Sequence, residues 1–418
     1  MEEIYEKPLL KNEIIEEIKK EEIKKEEIKK EEIKKEEEKK EVLKEENKIV
    51  EIEKLGGEEE KELELYIQEE KDLNKIKVNA SRIEITKLSY QKALEKLNST
   101  NFDKLEILSM NKTGLDSIDF LVNNKYSHLI ILELRENEIQ SIDKFCEAPF
   151  KNLKVLDLSS NKISSIQSIK KVPFKGLELL ILTNNLIEDI SPIVNGSFTS
   201  LTKLDLSNNK IKSIEKLSDD HNSLEKIKSI YLNDNQITDI SVFENNVFKN
   251  LIELQINNNK IANIDVLKIA PFTELEELYL YGNEIEYIDS LSTAKFAKLK
   301  ILQLGKNKIE NINQLKSCCF KDLEVLDLFD NEIKNIEILD EIPFKNIKEL
   351  DLSFNCINSV KVLIDKETKK KKFNNLNKLR IEGNSELDYS NRNNYTVEDV
   401  YKAYHIQYTY NAIFENKN

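Results

Sequence analysis

Hydrophobic and polar residues alternate along this chain in a frame that keeps returning. In Leu153-Lys-Val-Leu156-Asp-Leu158-Ser-Ser-Asn161-Lys-Ile163-Ser-Ser-Ile166, two aliphatic residues bracket one polar residue, a polar turn follows, and two isoleucines come after it. The frame starts again at Leu105, Leu129, Leu177, Leu201, Ile227, Leu251, Leu275, Leu299, Leu323, Ile347 and Leu376; nine of the eleven intervals are 24 residues, the others 26 and 29. One slot is filled by Asn137, Asn161, Asn185, Asn209, Asn235, Asn259, Asn283, Asn307, Asn331, Asn355 and Asn384, with Thr113 in the first copy.

Each part of the frame predicts an element. The period of two in Leu156-Asp157-Leu158 makes a short strand with both leucines on one face and the aspartate on the other. Successive copies then stack as parallel strands about 4.8 Å apart, so twelve of them make a curved sheet of roughly 50–60 Å. The recurring asparagine stands where the chain leaves the sheet, and its amide is suited to satisfy backbone groups that would otherwise be buried unpaired. Ile163 and Ile166 fold back over the leucines from the outer side. A phenylalanine stands three residues before the first leucine in ten of the twelve copies, from Phe102 and Phe150 to Phe344 and Phe373, and predicts a continuous apolar spine.

In the form LxxLxLxxNxIxxIxxL these residues resemble the leucine-rich-repeat family, over about Leu105 to Leu387. The half-repeat Asn259-Lys-Ile261-Ala-Asn-Ile264-Asp-Val-Leu267 is similar to the short-repeat class typified by the leucine-rich regulatory subunit of protein phosphatase 1, although these copies are longer. The resemblance implies an α/β solenoid, a horseshoe with a parallel sheet on its concave side, whose work is to bind other proteins. It also implies a phosphatase catalytic subunit as one candidate partner.

Solenoid ends expose apolar core and a sheet edge, so both need covering. Residues 58–104 are expected to cap the first end through a degenerate copy, Leu73 to Ile83, and a helix with Ser89 as its N-cap and Tyr90, Ala93, Leu94 and Leu97 facing inward. Residues 388–418 are expected to cap the other, through a helix from Thr396 bearing Val397, Val400, Tyr401 and Tyr404, followed by Tyr408, Tyr410 and Phe414. The repeats proper occupy 105–387. Residues 1–57 are a charged segment in which Glu-Glu-Ile-Lys-Lys recurs between residues 16 and 40. Five residues advance a helix by about 500°, so Ile18, Ile23, Ile28 and Ile33 form no coiled-coil seam. The segment is expected either as a solitary charged helix, serving as a tether, or as unstructured chain.

Charge narrows the partner class. Of the net −14, residues 1–72 carry −11 (28 acidic, 17 basic) and the rest −3. A nearly neutral body disfavours nucleic acid as the main ligand, since phosphate neutralisation needs a basic surface. No secretory leader opens the sequence, no stretch is long and apolar enough to span a bilayer, and Cys146, Cys318, Cys319 and Cys356 have no paired spacing. The expectation is a cytoplasmic or nuclear monomer, away from membranes. The Lys366–Lys372 run is either a targeting signal or a solvated excursion.

No chemistry beyond binding is encoded in a recognisable way. Eight glycines leave no GxGxxG or GxxxxGK[ST] loop, and His128, His221 and His405 fall in no metal or nucleophile motif. The chain is therefore expected to be non-enzymatic, without cofactor or metal. Candidate binding residues are those flanking the strand leucines on the concave face: Tyr231, Tyr279, Tyr281 and Phe329, with acidic neighbours Glu253, Glu277, Asp327, Asp330 and Asp351. Tyrosine and phenylalanine on an otherwise polar sheet are typical interface anchors. Gln255, Gln303 and Asn257 lie between them, and Ile107, Ile131, Val155 and Leu179 form a separate apolar stripe. A consensus aspartate such as Asp157 is open to a second reading as a solvated filler.

Overall fold

The computed structural model describes residues 63–387, apart from residues 69, 76, 78, 87–89, 103, 196–197, 219–223, 365–371 and 385–386, together with Val400. The chain divides into two units, Met1–Lys61 and Glu62–Asn418, and the described residues belong to the second. The charged segment 1–57, Lys366, His221, His405, Ser89 and the aromatic C-terminal tail lie outside them.

Among the described residues fourteen strands form one parallel sheet in strict chain order. They are β1 (Leu63–Ile67), β2 (Ala80–Thr86), β3 (Ile107–Asn111), β4 (Ile131–Glu133), β5 (Val155–Asp157), β6 (Leu179–Ile181), β7 (Lys203–Asp205), β8 (Ser229–Tyr231), β9 (Glu253–Gln255), β10 (Glu277–Tyr279), β11 (Ile301–Gln303), β12 (Val325–Asp327), β13 (Glu349–Asp351) and β14 (Lys378–Arg380). Twelve follow the frame read from the sequence, and β1 and β2 extend the same sheet upstream of it. β2 overlaps the degenerate copy expected at Leu73 to Ile83 only at its end: Ile83 and Ile85 take the strand positions, paired to Leu108 and Met110, while Leu73 lies in a 3₁₀ turn, Glu70–Lys75. β1, Leu-Glu-Leu-Tyr-Ile, carries the alternation but no trailing asparagine, so the frame missed it.

Pairing joins equivalent positions, for example Leu302 to Leu278 on one side and Leu326 on the other. From β4 onward the strands stop after three residues because the next turn bends the backbone sharply. The residue before each ladder asparagine lies in the left-handed region, from Glu136 (φ 54°) through Ser160 (φ 54°) to Phe354 (φ 54°), with Gly282 and Gly383 taking the same slot.

The ladder asparagines tie each turn to the one before. Asn161 donates through Nδ2 to the Leu158 carbonyl (3.0 Å) in its own coil and the Leu134 carbonyl (2.9 Å) in the preceding one, while its Oδ1 accepts from the Ile139 amide (3.1 Å). In the first copy the Thr113 hydroxyl reaches the Met110 carbonyl at 3.3 Å, and Asn137 Oδ1 accepts from the Thr113 and Leu115 amides.

On the outer side the return path is a single 3₁₀ turn in most coils, such as Gln167–Lys171 and Asp265–Lys268. Among the described residues two coils hold a second short turn, Asn124–Tyr126 and Asn246–Asn250, and the turns bury apolar residues such as Ile169 and Leu267 in the core. Phenylalanines stack beneath these turns: Phe150 on Phe174 with centroids 5.6 Å apart, and Phe296 on Phe320 at 6.1 Å. The upstream end carries helix α1 (Tyr90–Ser99), with Ala93 and Leu97 fully buried and Leu94 partly so. Lys125, 7% exposed, donates its ammonium to the Leu97 carbonyl near the end of α1, and burial lowers its pKa.

Candidate protein-binding surface

The face of the sheet opposite the core is built of columns running across the strands. In one column Ile107, Ile131, Val155 and Leu179 lie in register from β3 to β6, with Ile181 beside them on β6. These side chains are half-buried by one another, except Leu179, which is buried. From β9 onward the same column turns acidic at Glu253 and Glu277 and returns to aliphatic at Ile301 and Val325.

The strand aspartates are more than solvated filler. Asp157 Oδ1 accepts from the Ser159 amide (2.9 Å) and hydroxyl (2.7 Å), and Asp327 and Asp351 accept from the Phe329 (2.9 Å) and Ser353 (3.0 Å) amides. Each carboxylate thus caps its own turn two residues on. Asp157 pays for this with burial: it is 3% exposed, and desolvation raises its pKa to about 6 against the lowering influence of Arg135, whose Nε lies 3.4 Å from Oδ2. Burial raises Asp205 as well.

The nine candidate residues do not form one uniform patch. Tyr231, expected on the open inner curve, is only 8% exposed. Lys203 lies across its ring, with Nζ 4.6 Å from the centroid, and its hydroxyl donates to Glu253 Oε2 at 2.5 Å. Burial, and then Glu253, push the phenol pKa far up, so Tyr231 stays neutral. Its neighbours form a polar net: Gln255 donates to Glu253 (2.7 Å) and Asn233 donates to Gln255 (2.8 Å). Tyr279 is half-buried and donates to Glu277 at 2.6 Å.

Tyr281 and Phe329 are brought together instead. They occupy the same position in β10 and β12 coils, and their rings stack with centroids 6.4 Å apart and planes 17° from parallel. Phe329 is met edge-on by Phe354, at 5.4 Å. Phe354 is 45% exposed, and sequence reasoning missed it. The signal was present: its slot before the ladder asparagine holds Lys, Glu, Ser, Asn, Asp or Gly in the other coils from Lys112 to Gly383, and an aromatic only here. Asp330 is exposed beside this group, and Asp351 accepts from Arg380 Nη1 at 3.1 Å.

Among the described residues no group of histidine, cysteine, aspartate and glutamate is arranged to hold a metal ion, and no helix is long and apolar enough to cross a membrane. All four cysteines are free.

Residues 127–171, 175–219, 225–269 and 273–317 each match the family described as Leucine Rich repeats (2 copies), and residues 345–360 match Leucine Rich repeat. The matched stretches all lie within residues 127–360, and the fold they belong to is the leucine-rich-repeat solenoid. No curated protein matches it. Among solved structures it is similar to a leucine-rich-repeat protein of Leptospira interrogans, LIC12759, at 20% identity and TM-score 0.58, covering 79% of this chain and 84% of that one. An internalin (inlF) of Listeria monocytogenes aligns at 23% identity and TM-score 0.52, covering 72% of this chain and 89% of that one. The LRIM1/APL1C complex aligns at 20% identity and TM-score 0.53, covering 78% and 59%. At these identities the likeness is one of fold, the horseshoe.

Proposed function

We propose that this chain is a non-enzymatic interaction scaffold that binds a protein partner on its concave face. The observation that carries the reading is the placement of aromatic and acidic side chains together on the open face of β9–β13: Glu253, Glu277, Tyr279, Tyr281, Asp327, Phe329, Asp330 and Asp351. Half-exposed rings on an otherwise polar sheet provide the apolar anchors that interfaces concentrate, and carboxylates around them favour a basic or mixed-charge partner. Leucine-rich repeats are typically modules of protein interaction, and one of the similar structures is itself a complex. Four free thiols fit a reducing compartment, cytoplasm or nucleus. The phosphatase-subunit reading rests on the half-repeat resemblance alone, and no feature of the concave face favours it.

The test is affinity purification of the full chain beside its Tyr279→Ala/Tyr281→Ala variant, quantified by mass spectrometry. The variant is expected to keep its melting temperature and to lose about ten-fold or more of the captured partner, the range of an interface anchor. Equal capture by both proteins removes the concave face from the reading.

A further inference from the structure

We propose that the β10–β14 portion of the concave face is a platform for arginine side chains of an extended, basic segment in a partner protein. The proposal rests on the binding reading above and names the chemistry of the partner. Three observations carry it.

The first is a built aromatic surface. Positions two strands apart are separated by about 9.6 Å of sheet, yet the Tyr281 and Phe329 rings sit 6.4 Å apart and nearly parallel. They lean toward each other across Gly305. A Cβ on Gly305 would stand 2.9 Å from Tyr281 Cδ2 and 2.9 Å from Asp327 Oδ1. Only glycine leaves room for the pair and for the carboxylate beside it.

The second is strain with exposure. Phe354 holds φ 54°, a conformation that bulky side chains rarely adopt, and its ring lies over Gly383, where a Cβ would come within 2.9 Å of it. A glycine or asparagine would fit that turn better, so the ring is kept there against local preference while the residue stays 45% exposed.

The third is charge. The concave positions of β10–β14 and their turns hold six carboxylates (Glu277, Asp327, Asp330, Glu349, Asp351, Glu382) and three cations, Lys306, Lys378 and Arg380. Lys378 is paired with Glu349 at 2.6 Å and Arg380 with Asp351 at 3.1 Å. Lys306 lies with its ammonium 5.7 Å from the Tyr281 centroid, so the aromatic face already carries a cation from its own chain. Aromatic faces attract cations, and a planar guanidinium both stacks on rings and forks onto carboxylates at a lower dehydration cost than an ammonium. The rings follow one edge of the sheet from the β10 coil to the β13 coil, so an extended segment crossing the strands meets them in turn.

The test pans a displayed library of randomised nine-residue peptides on the immobilised full chain, then measures a selected peptide by fluorescence anisotropy. Selection is expected to enrich arginine and deplete aspartate and glutamate. Replacing the peptide's arginines by citrulline, and Phe354→Gly in the protein, are each expected to weaken binding by about ten-fold or more. Phe354→Gly is expected to hold or raise the melting temperature, which separates a lost ring from a lost fold. Lys306→Met is expected to tighten binding by vacating the Tyr281 face. Selection of acidic or uncharged peptides, no selection, or unchanged binding by Phe354→Gly overturns the proposal. Partner capture that is lost with Tyr279→Ala/Tyr281→Ala but comes with no basic selection leaves the concave scaffold standing and removes only the arginine platform.

Discussion

Replacing Asn259 by alanine is expected to destabilise the repeat unit by about 2–3 kcal/mol, read as a shift of the urea unfolding midpoint or as a split into two transitions. Asn259 is 8% exposed. Its Nδ2 is shared among the carbonyls of Leu232 (2.9 Å), Asn257 (3.0 Å) and Ile256 (3.3 Å), and its Oδ1 accepts from the Ile237 amide at 2.9 Å. Alanine leaves the Ile237 amide buried without that partner, at about 1–3 kcal/mol, and takes one of two donors from the Leu232 carbonyl, which keeps Asn235 Nδ2 at 3.1 Å. Both groups belong to the preceding coil, so the loss falls on the contact between coils, and in a solenoid that contact couples each unit to its neighbours. Aspartate is expected to be no better, because it sets a charged oxygen against carbonyl oxygens. The adjacent Asn258 is the control: it is exposed, bonds to Asp234 at 2.9 Å, and holds φ 52°. Asn258→Gly should fall within about 0.5 kcal/mol of the parent. A loss below about 1 kcal/mol for Asn259→Ala would mean that the ladder is dispensable.

Stability should also fall as pH rises through the Asp157 titration. Its folded pKa, about 6, stands above the ordinary carboxylate value of 3.8, with desolvation as the leading cause. The folded chain therefore binds this proton more tightly than the unfolded chain does. Its contribution is fully present below about pH 4 and is lost as pH rises through about 6. Two units of difference correspond to about 3 kcal/mol. Asp157→Asn keeps an oxygen to accept from the Ser159 amide and hydroxyl and removes the buried charge. It gives up the Arg135 contact at 3.4 Å. The variant is expected to lose this pH dependence and to be about 1–3 kcal/mol more stable than the parent at pH 7.5. Urea titrations at pH 4.5 and 7.5 test it, and a variant less stable than the parent at pH 7.5 would contradict the assignment.

Much of the candidate surface was legible because a strand has a period of two. Once Leu278 and Leu280 point inward, Glu277, Tyr279 and Tyr281 must point the other way. What that rule leaves open is how each outward side chain is covered by its neighbours. Tyr231 satisfies the alternation and is nevertheless buried, because Lys203 from the preceding coil lies over it and Glu253 from the following one takes its hydroxyl. The strand aspartates, open to reading as binding groups or as filler, cap turns, a contact only two residues long that a consensus Leu-Asp-Leu conceals by its regularity. β1 escaped because its identity as a strand depends on pairing with β2, and the chain between them carries no frame.

The sequence alone determined the coil: a 24-residue period with aliphatic residues at fixed offsets has one way to bury them all, and the asparagine slot marks where the backbone must turn. Only the tertiary structure decided the site, since Tyr281, Gly305, Phe329 and Phe354 are spread over 74 residues and meet solely because successive coils stack in register. Period is a local property that hydrophobic burial enforces in every copy alike. Adjacency across the sheet depends on which side chain is missing, as at Gly305, and on which turn tolerates an unfavourable φ, as at Phe354; neither is periodic.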